Sequence, residues 1–118
     1  MTSPKKQLKT KAINELIDAF DYKFFKTLSE PVRVQILKFI LFKGKADIGT
    51  IAENLPQDRS VISRHLNIMY EVGILTCNKE NRHVYYEING DTFINKFENL
   101  TDKIRKCMPK CCPKYFRE

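Results

Sequence analysis

The chain has 118 residues, 42% hydrophobic and 30% charged, enough for one modest core and too polar for a membrane-spanning run. Its net charge of +7 favours a polyanionic partner, either nucleic acid or an anionic membrane surface. The lysine-rich start from Met1 to Lys11 has no apolar stretch behind it, so the expectation is a cytoplasmic protein without a secretory signal.

The pattern predicts five helices and one hairpin. A first helix over Thr10 to Leu28 carries Ile13, Leu16, Ile17, Phe20, Phe24 and Leu28 at helical spacing. Ser29 is expected to cap a second helix, with Pro31 in its first turn, Val32, Ile36, Leu37, Ile40 and Leu41 turned inward, and Gly44 at its end. Asp47 caps a short third helix carrying Ile48, Ile51, Ala52 and Leu55, which Pro56 and Gln57 break. Asp58 caps a fourth helix that runs to about Val72 and stops at Gly73. Ile74 to Asn78 and His83 to Ile88 read as strands joined by a turn of Lys79, Glu80, Asn81 and Arg82. A last helix over Asp91 to Lys106 aligns Phe93, Phe97, Leu100 and Ile104, and Pro109 should end regular structure near Cys107.

A short helix, a tight turn and a longer capped helix, followed by a hairpin, make a winged helix-turn-helix pattern in a mainly α chain. The expected organisation is one such domain over residues 1–106, dimeric through its first and last helices, and a cysteine-rich basic tail over 107–118. The dimer follows from aromatic stripes on both outer helices, which so small a domain has little core left to bury. On the fourth helix Arg59, Ser60, Ser63, Arg64 and Asn67 fall within an arc of about 140°. That face offers guanidinium, hydroxyl and amide groups with no carboxylate, the donors and acceptors that read base edges and phosphates of double-stranded DNA. Lys79 and Arg82 at the wing are expected to grip phosphate.

The segments LSEPVRVQILKFI, SVISRHLNIMYEVGIL and NRHVYYEI together resemble the ArsR/SmtB family of metal-responsive repressors. The resemblance implies a homodimer built from the first and last helices, operator binding in the apo state with no cofactor, and release by an inducer. It also implies that Arg59, Ser60, Ser63 and Arg64 face DNA. Two metal sites of that family are missing here. The cysteine pair on the third helix is replaced by Lys45-Ala46-Asp47-Ile48-Gly49, and the last helix has no histidine. His65 reads as structural and His83 as a solvated strand residue.

What remains is Cys107, Cys111 and Cys112, three thiols within six residues that could converge on one soft ion. Lys106, Lys110 and Lys114 should favour their thiolate forms. Three sulfurs suit a pyramidal three-coordinate ion such as arsenite or antimonite, and the resemblance points the same way, since the family includes arsenite sensors with a cysteine trio near the last helix. Cadmium, lead or copper(I) would also fit, with Cys77 or a thiol of a second subunit as a further ligand, as would a sensor of thiol oxidation or persulfide. Cys77 itself reads as a small buried hydrophobe. A reading of another class is a thiol-rich metal-binding or buffering protein whose winged helix serves protein contacts. No paired acid–base constellation or nucleotide loop points to an enzyme.

Overall fold

The computed structural model describes residues 3–112 and Lys114. The elements run α1 (Pro4–Ala19), α2 (Tyr22–Leu28), α3 (Pro31–Lys43), β1 (Ala46–Asp47), α4 (Ile48–Asn54), α5 (Arg59–Glu71), β2 (Leu75–Glu80), β3 (His83–Ile88) and α6 (Gly90–Cys111). They form two compact units. One is Tyr22–Phe93, and the other joins the chain up to Asp21 with the chain from Ile94 onward.

The Tyr22–Phe93 unit is the mainly α domain with a small sheet that the sequence predicts. Its core is Phe24 from α2, Ile36 and Ile40 from α3, Ile51 from α4, Ile62, Leu66 and Met69 from α5, and Ile74 and Leu75 leading into the wing. Phe24 meets Phe93 edge-on, with ring centroids 5.5 Å apart. The sheet has three antiparallel strands in the order β1-β3-β2, one more than the expected hairpin. Two residues suffice for β1, because Ala46 and Asp47 pair with Tyr86 and Tyr85 and tie the base of the wing to the start of α4. Lys45 adds an ion pair at the wing, its Nζ donating to both carboxylate oxygens of Glu80 at 2.9 and 2.7 Å.

Several expected boundaries shift, each for a local reason. The single first helix is two, because the chain turns at Phe20 and Asp21, where Phe20 N–H bonds back to Leu16 and Ile17 carbonyls. Asp21 is a poor interior helix residue, and its carboxylate instead receives Lys96 Nζ at 2.7 Å. Glu30, not Ser29, caps α3. With Pro31 at the first helical position, the Glu30 carboxylate accepts the Arg33 N–H at 3.1 Å, while Ser29 Oγ donates to the Phe25 carbonyl. Leu41 was expected inward but is 67% exposed, since it lies about 100° beyond the buried Ile40. Asp58 holds the N-cap position of α5, yet its side chain makes no capping bond.

The largest departure is at Pro109, which sits inside α6 rather than after it. In the last turn the proline costs one hydrogen bond and crowds the carbonyl of Arg105, an exposed residue whose carbonyl water can reach. Beyond it the helix pattern resumes, with Cys112 N–H donating to the Met108 carbonyl and Lys110 Nζ capping that of Lys106.

Asp47 does bind as a cap. Its Oδ1 accepts the Thr50 N–H at 2.9 Å, and its Oδ2 lies 2.9 Å from His83 Nδ1. The Thr50 bonds first, and then His83, hold its carboxyl below the usual carboxylate range. Replacing Asp47 by alanine should lower the unfolding free energy by about 1 kcal/mol at neutral pH, measured by urea denaturation. A depressed carboxylate stabilises fully above about pH 4 and loses that contribution as pH falls through its lowered value. The gap between wild type and variant should therefore close in acid. A gap of constant size down to about pH 2 would contradict this account.

Candidate nucleic-acid interface

The helix α5 is divided lengthwise. Ile62, Leu66 and Met69 recur at i, i+4 and i+7 and are fully buried, so they fix which way the helix is rolled. Arg59, Ser60, Ser63, Arg64 and Asn67 are all exposed on the remaining arc. Gly73, at φ +85°, ends the helix region and turns the chain into Ile74 and β2.

In the wing, Glu80 pairs with His83 across a two-residue turn of Asn81 and Arg82. Asn81 takes the left-handed conformation, φ 58°, that such a turn requires and that asparagine tolerates. The turn is thus tighter than the four residues expected from sequence. Lys79 stands within β2 opposite Val84, and Arg82 at the tip; both are exposed.

The fold brings Arg59 and Arg82 together. Both line a cleft of about 400 Å³ that also includes Asp47, Glu53 and His83. At its edge the Arg59 guanidinium lies against Gly49, where a Cβ would sit 3.6 Å from Nη1. His83 lies at the edge of this cleft hydrogen-bonded to Asp47, so it is exposed but not merely solvated. Sequence reading missed this cleft because its parts come from α4, α5 and the wing.

His65 faces inward from α5. Arg33 Nε donates to its Nδ1 at 3.1 Å, and Arg33 Nη1 donates to the Thr27 carbonyl at 3.2 Å. Burial pushes the imidazole below its usual value, a nearby Glu30 opposes the shift, and Arg33 and Arg64 add to it.

At the end of α6, Cys107 and Cys111 share one helical face, and their sulfurs are 3.4 Å apart. Cys107 is buried, while Cys111 and Cys112 are half-buried. Among the described residues no three His, Cys, Asp or Glu side chains converge as a metal site; the hydrogen-bonded pair is Cys107 with Cys111. The expected lysine effect does not prevail at Cys107. The hydrogen bond with Cys111, then desolvation, raise its thiol, and Lys110 only partly opposes them. Cys77 is half-buried on β2 opposite Tyr86.

Residues 30–76, from the cap of α3 into β2, match the profile of the arsR family of bacterial regulatory proteins. The transcriptional repressor SdpR of Bacillus subtilis is 32% identical over 85 residues, 64% of this chain and 93% of that protein. The chain belongs to the arsR family. An HTH-type transcriptional regulator of Methanocaldococcus jannaschii is 31% identical over 68% of this chain and 89% of its own length. More distant ArsR-type relatives are a cadmium resistance regulatory protein CadC homolog of Staphylococcus aureus, 29% identical over 58% of this chain and 57% of its own, and the arsenical resistance operon repressor of Bacillus subtilis, 26% identical over 66% and 73%. Among solved structures, a homodimeric winged helix-turn-helix domain of Mycobacterium bovis shares the fold with TM-score 0.57 at 20% identity, covering 86% of this chain and 85% of that one. This ArsR-family protein is accordingly a DNA-binding transcriptional repressor with a winged helix-turn-helix, not an enzyme.

The exposed position of Arg64 generates a direct test. Arg64→Ala should fold as wild type, and its affinity for DNA selected by the wild-type protein from a random pool should drop by about 1–3 kcal/mol. Unchanged affinity and selectivity would rule out this face as the reading surface.

Proposed function

We propose that this ArsR-family repressor binds double-stranded DNA as a homodimer without a cofactor, and that As(III) or Sb(III) releases it by binding Cys107, Cys111 and Cys112. The observation that carries the DNA reading is the division of α5, with five exposed polar side chains opposite three fully buried apolar ones. In this reading α5 enters the major groove. Arg64 bonds guanine, Asn67 suits adenine, Ser60 and Ser63 reach bases or phosphates, and Arg59 lies beside the cleft it shares with Arg82. Lys79 and Arg82 hold the backbone from the wing.

The dimer reading rests on apolar side chains left exposed on the outer helices: Ile17 on α1 and Ile94 on α6 are 65% and 55% exposed, and Ile13, one turn before Ile17, and Ile104, further along α6, are exposed as well. Residues 1–106 then form the repressor domain, with α1 and α6 as the dimerising helices, and 107–118 the sensing segment. Fixing the end of α6 would alter subunit packing and hence the separation of the two recognition helices.

The choice of inducer follows from the chemistry of the thiol pair. Arsenious acid carries its own hydroxyl groups: As(OH)3 and three thiols give three As–S bonds and three waters, so the thiol protons leave in the product. Cadmium, lead or copper(I) must instead expel those protons, which a raised Cys107 thiol resists. Cys112, one residue past the helix, would have to swing in as the third ligand. The names of the arsenical and cadmium relatives support a soft metal or metalloid in general.

Three measurements test this function. Neutralising Arg82 with glutamine should weaken binding to all duplexes alike and reduce the slope of log affinity against log salt by about 1, whereas a metal buffer using the winged helix for protein contacts would show no such slope. Each of Cys107→Ser, Cys111→Ser and Cys112→Ser should bind DNA normally but resist release by arsenite, and Cys77→Ser should be released like wild type. Release of a variant lacking all three tail thiols at the wild-type arsenite concentration would overturn the sensor assignment. Arsenite release should also vary little with pH, where cadmium release would sharpen as pH rises.

A further inference from the structure

One connected polar group is left unused by the DNA and thiol sites: Glu30, Arg33 and His65, where the start of α3 meets the inner side of α5. Arg33 holds two elements at once, through the Thr27 carbonyl of α2 and Nδ1 of His65. A guanidinium only donates, so Nδ1 is the unprotonated nitrogen, and neutral His65 carries its hydrogen on Nε2. Glu30 Oε2 lies 4.0 Å from the same nitrogen while accepting the Arg33 N–H that caps α3. Nδ1 therefore has a permanent donor at 3.1 Å and a carboxylate at 4.0 Å. Which one it can bond depends on whether it carries a proton. Arg64, on its own helix, is the remaining charged group that acts on it.

We propose that Arg33 is a positioning residue for the recognition helix, and that a proton on His65 exchanges its partner from Arg33 to Glu30, loosens the seat of α5 and weakens DNA binding. A protonated Nδ1 cannot accept from Arg33, and imidazolium and guanidinium repel. A closure of about 1 Å brings Glu30 to hydrogen-bond distance and draws its carboxylate away from the α3 cap. His65 lies between Arg64 and Leu66, so a shift of its side chain moves a backbone shared by the reading face and the core. Burial first, with Arg33 and Arg64, outweighs Glu30 and holds His65 below its usual value, so the exchange belongs to acidic solution. The added charge alone would strengthen binding to DNA; a loss of binding on acidification therefore reports the repositioning.

The inference rests on the DNA-binding reading, and its test separates the two. Fluorescence anisotropy with a short mixed-sequence duplex at low salt would compare about pH 7.5 with about pH 5.5. Wild type should lose about tenfold in affinity on acidification. His65→Gln keeps a carbonyl for Arg33 to bond and does not titrate. Its affinity should no longer fall on acidification. Arg33→Gln should bind more weakly at both pH values, with a flattened response and an intact fold by circular dichroism. Nitrogen chemical shifts of His65 should show the Nε2–H form at neutral pH. An Nδ1–H form, an equal acid loss in His65→Gln, or tighter wild-type binding in acid would each overturn the proposal. If wild type binds no duplex at pH 7.5, the DNA reading fails and the effect on binding with it. The nitrogen shifts judge the partner exchange independently of any DNA.

Discussion

The interface depends on how α5 is anchored. A helix that reads DNA in the way proposed for α5 presents its polar side chains to solvent in the free protein, so nothing on that face can hold it in place. The grip comes from the opposite face, where Ile62, Leu66 and Met69 enter a core built with Ile36, Ile40 and Ile51. Three residues on a 3.6-residue period define the roll of the helix, and the roll defines which polar groups point out. Arg33 adds a polar tie to α5 through His65. The apolar contacts supply most of the stability, and the hydrogen bond adds direction.

Much of this was legible because it is local. The stripe of α5, its polar arc and the cap at Asp47 are set by residues a few positions apart, and the β3 strand by a simple alternation. The misreadings also have local causes. Ser29 looked like the better cap by type, but Pro31 at the first helical position made Glu30 the residue whose side chain meets the free N–H groups. Leu41 was counted with the stripe of α3, one step too far around the helix. Pro109 was read by its rule for helix interiors, whereas near a solvated helix end the lost bond is affordable.

What could not be read is what joins distant segments. β1 is two residues long and has no pattern of its own; it exists because β3 offers an edge. The cleft shared by Arg59 and Arg82, and the contact of His83 with Asp47, each join positions far apart in the chain. The tail shows both sides of this limit. The i, i+4 spacing of Cys107 and Cys111 announces a shared helical face once the helix is known to continue, and the 3.4 Å approach of their sulfurs follows from it. Their chemistry did not follow from counting lysines, because the two thiols act on each other more strongly than Lys110 acts on Cys107.

The ion pair of Lys45 with Glu80 has an effect on how this protein's binding curves should be interpreted. Both side chains are substantially exposed, at 42% and 46%, so dissolved ions screen the tie that braces the wing. As ionic strength rises this tie weakens, and in the proposed complex, where the wing grips the backbone, it must be remade as DNA is engaged. A plot of affinity against electrolyte therefore contains a contribution from within the protein, added to the counterions shed by the duplex. Dividing the raw gradient by the factor for one phosphate overcounts the contacts made, and the surplus is a measure of wing stiffness.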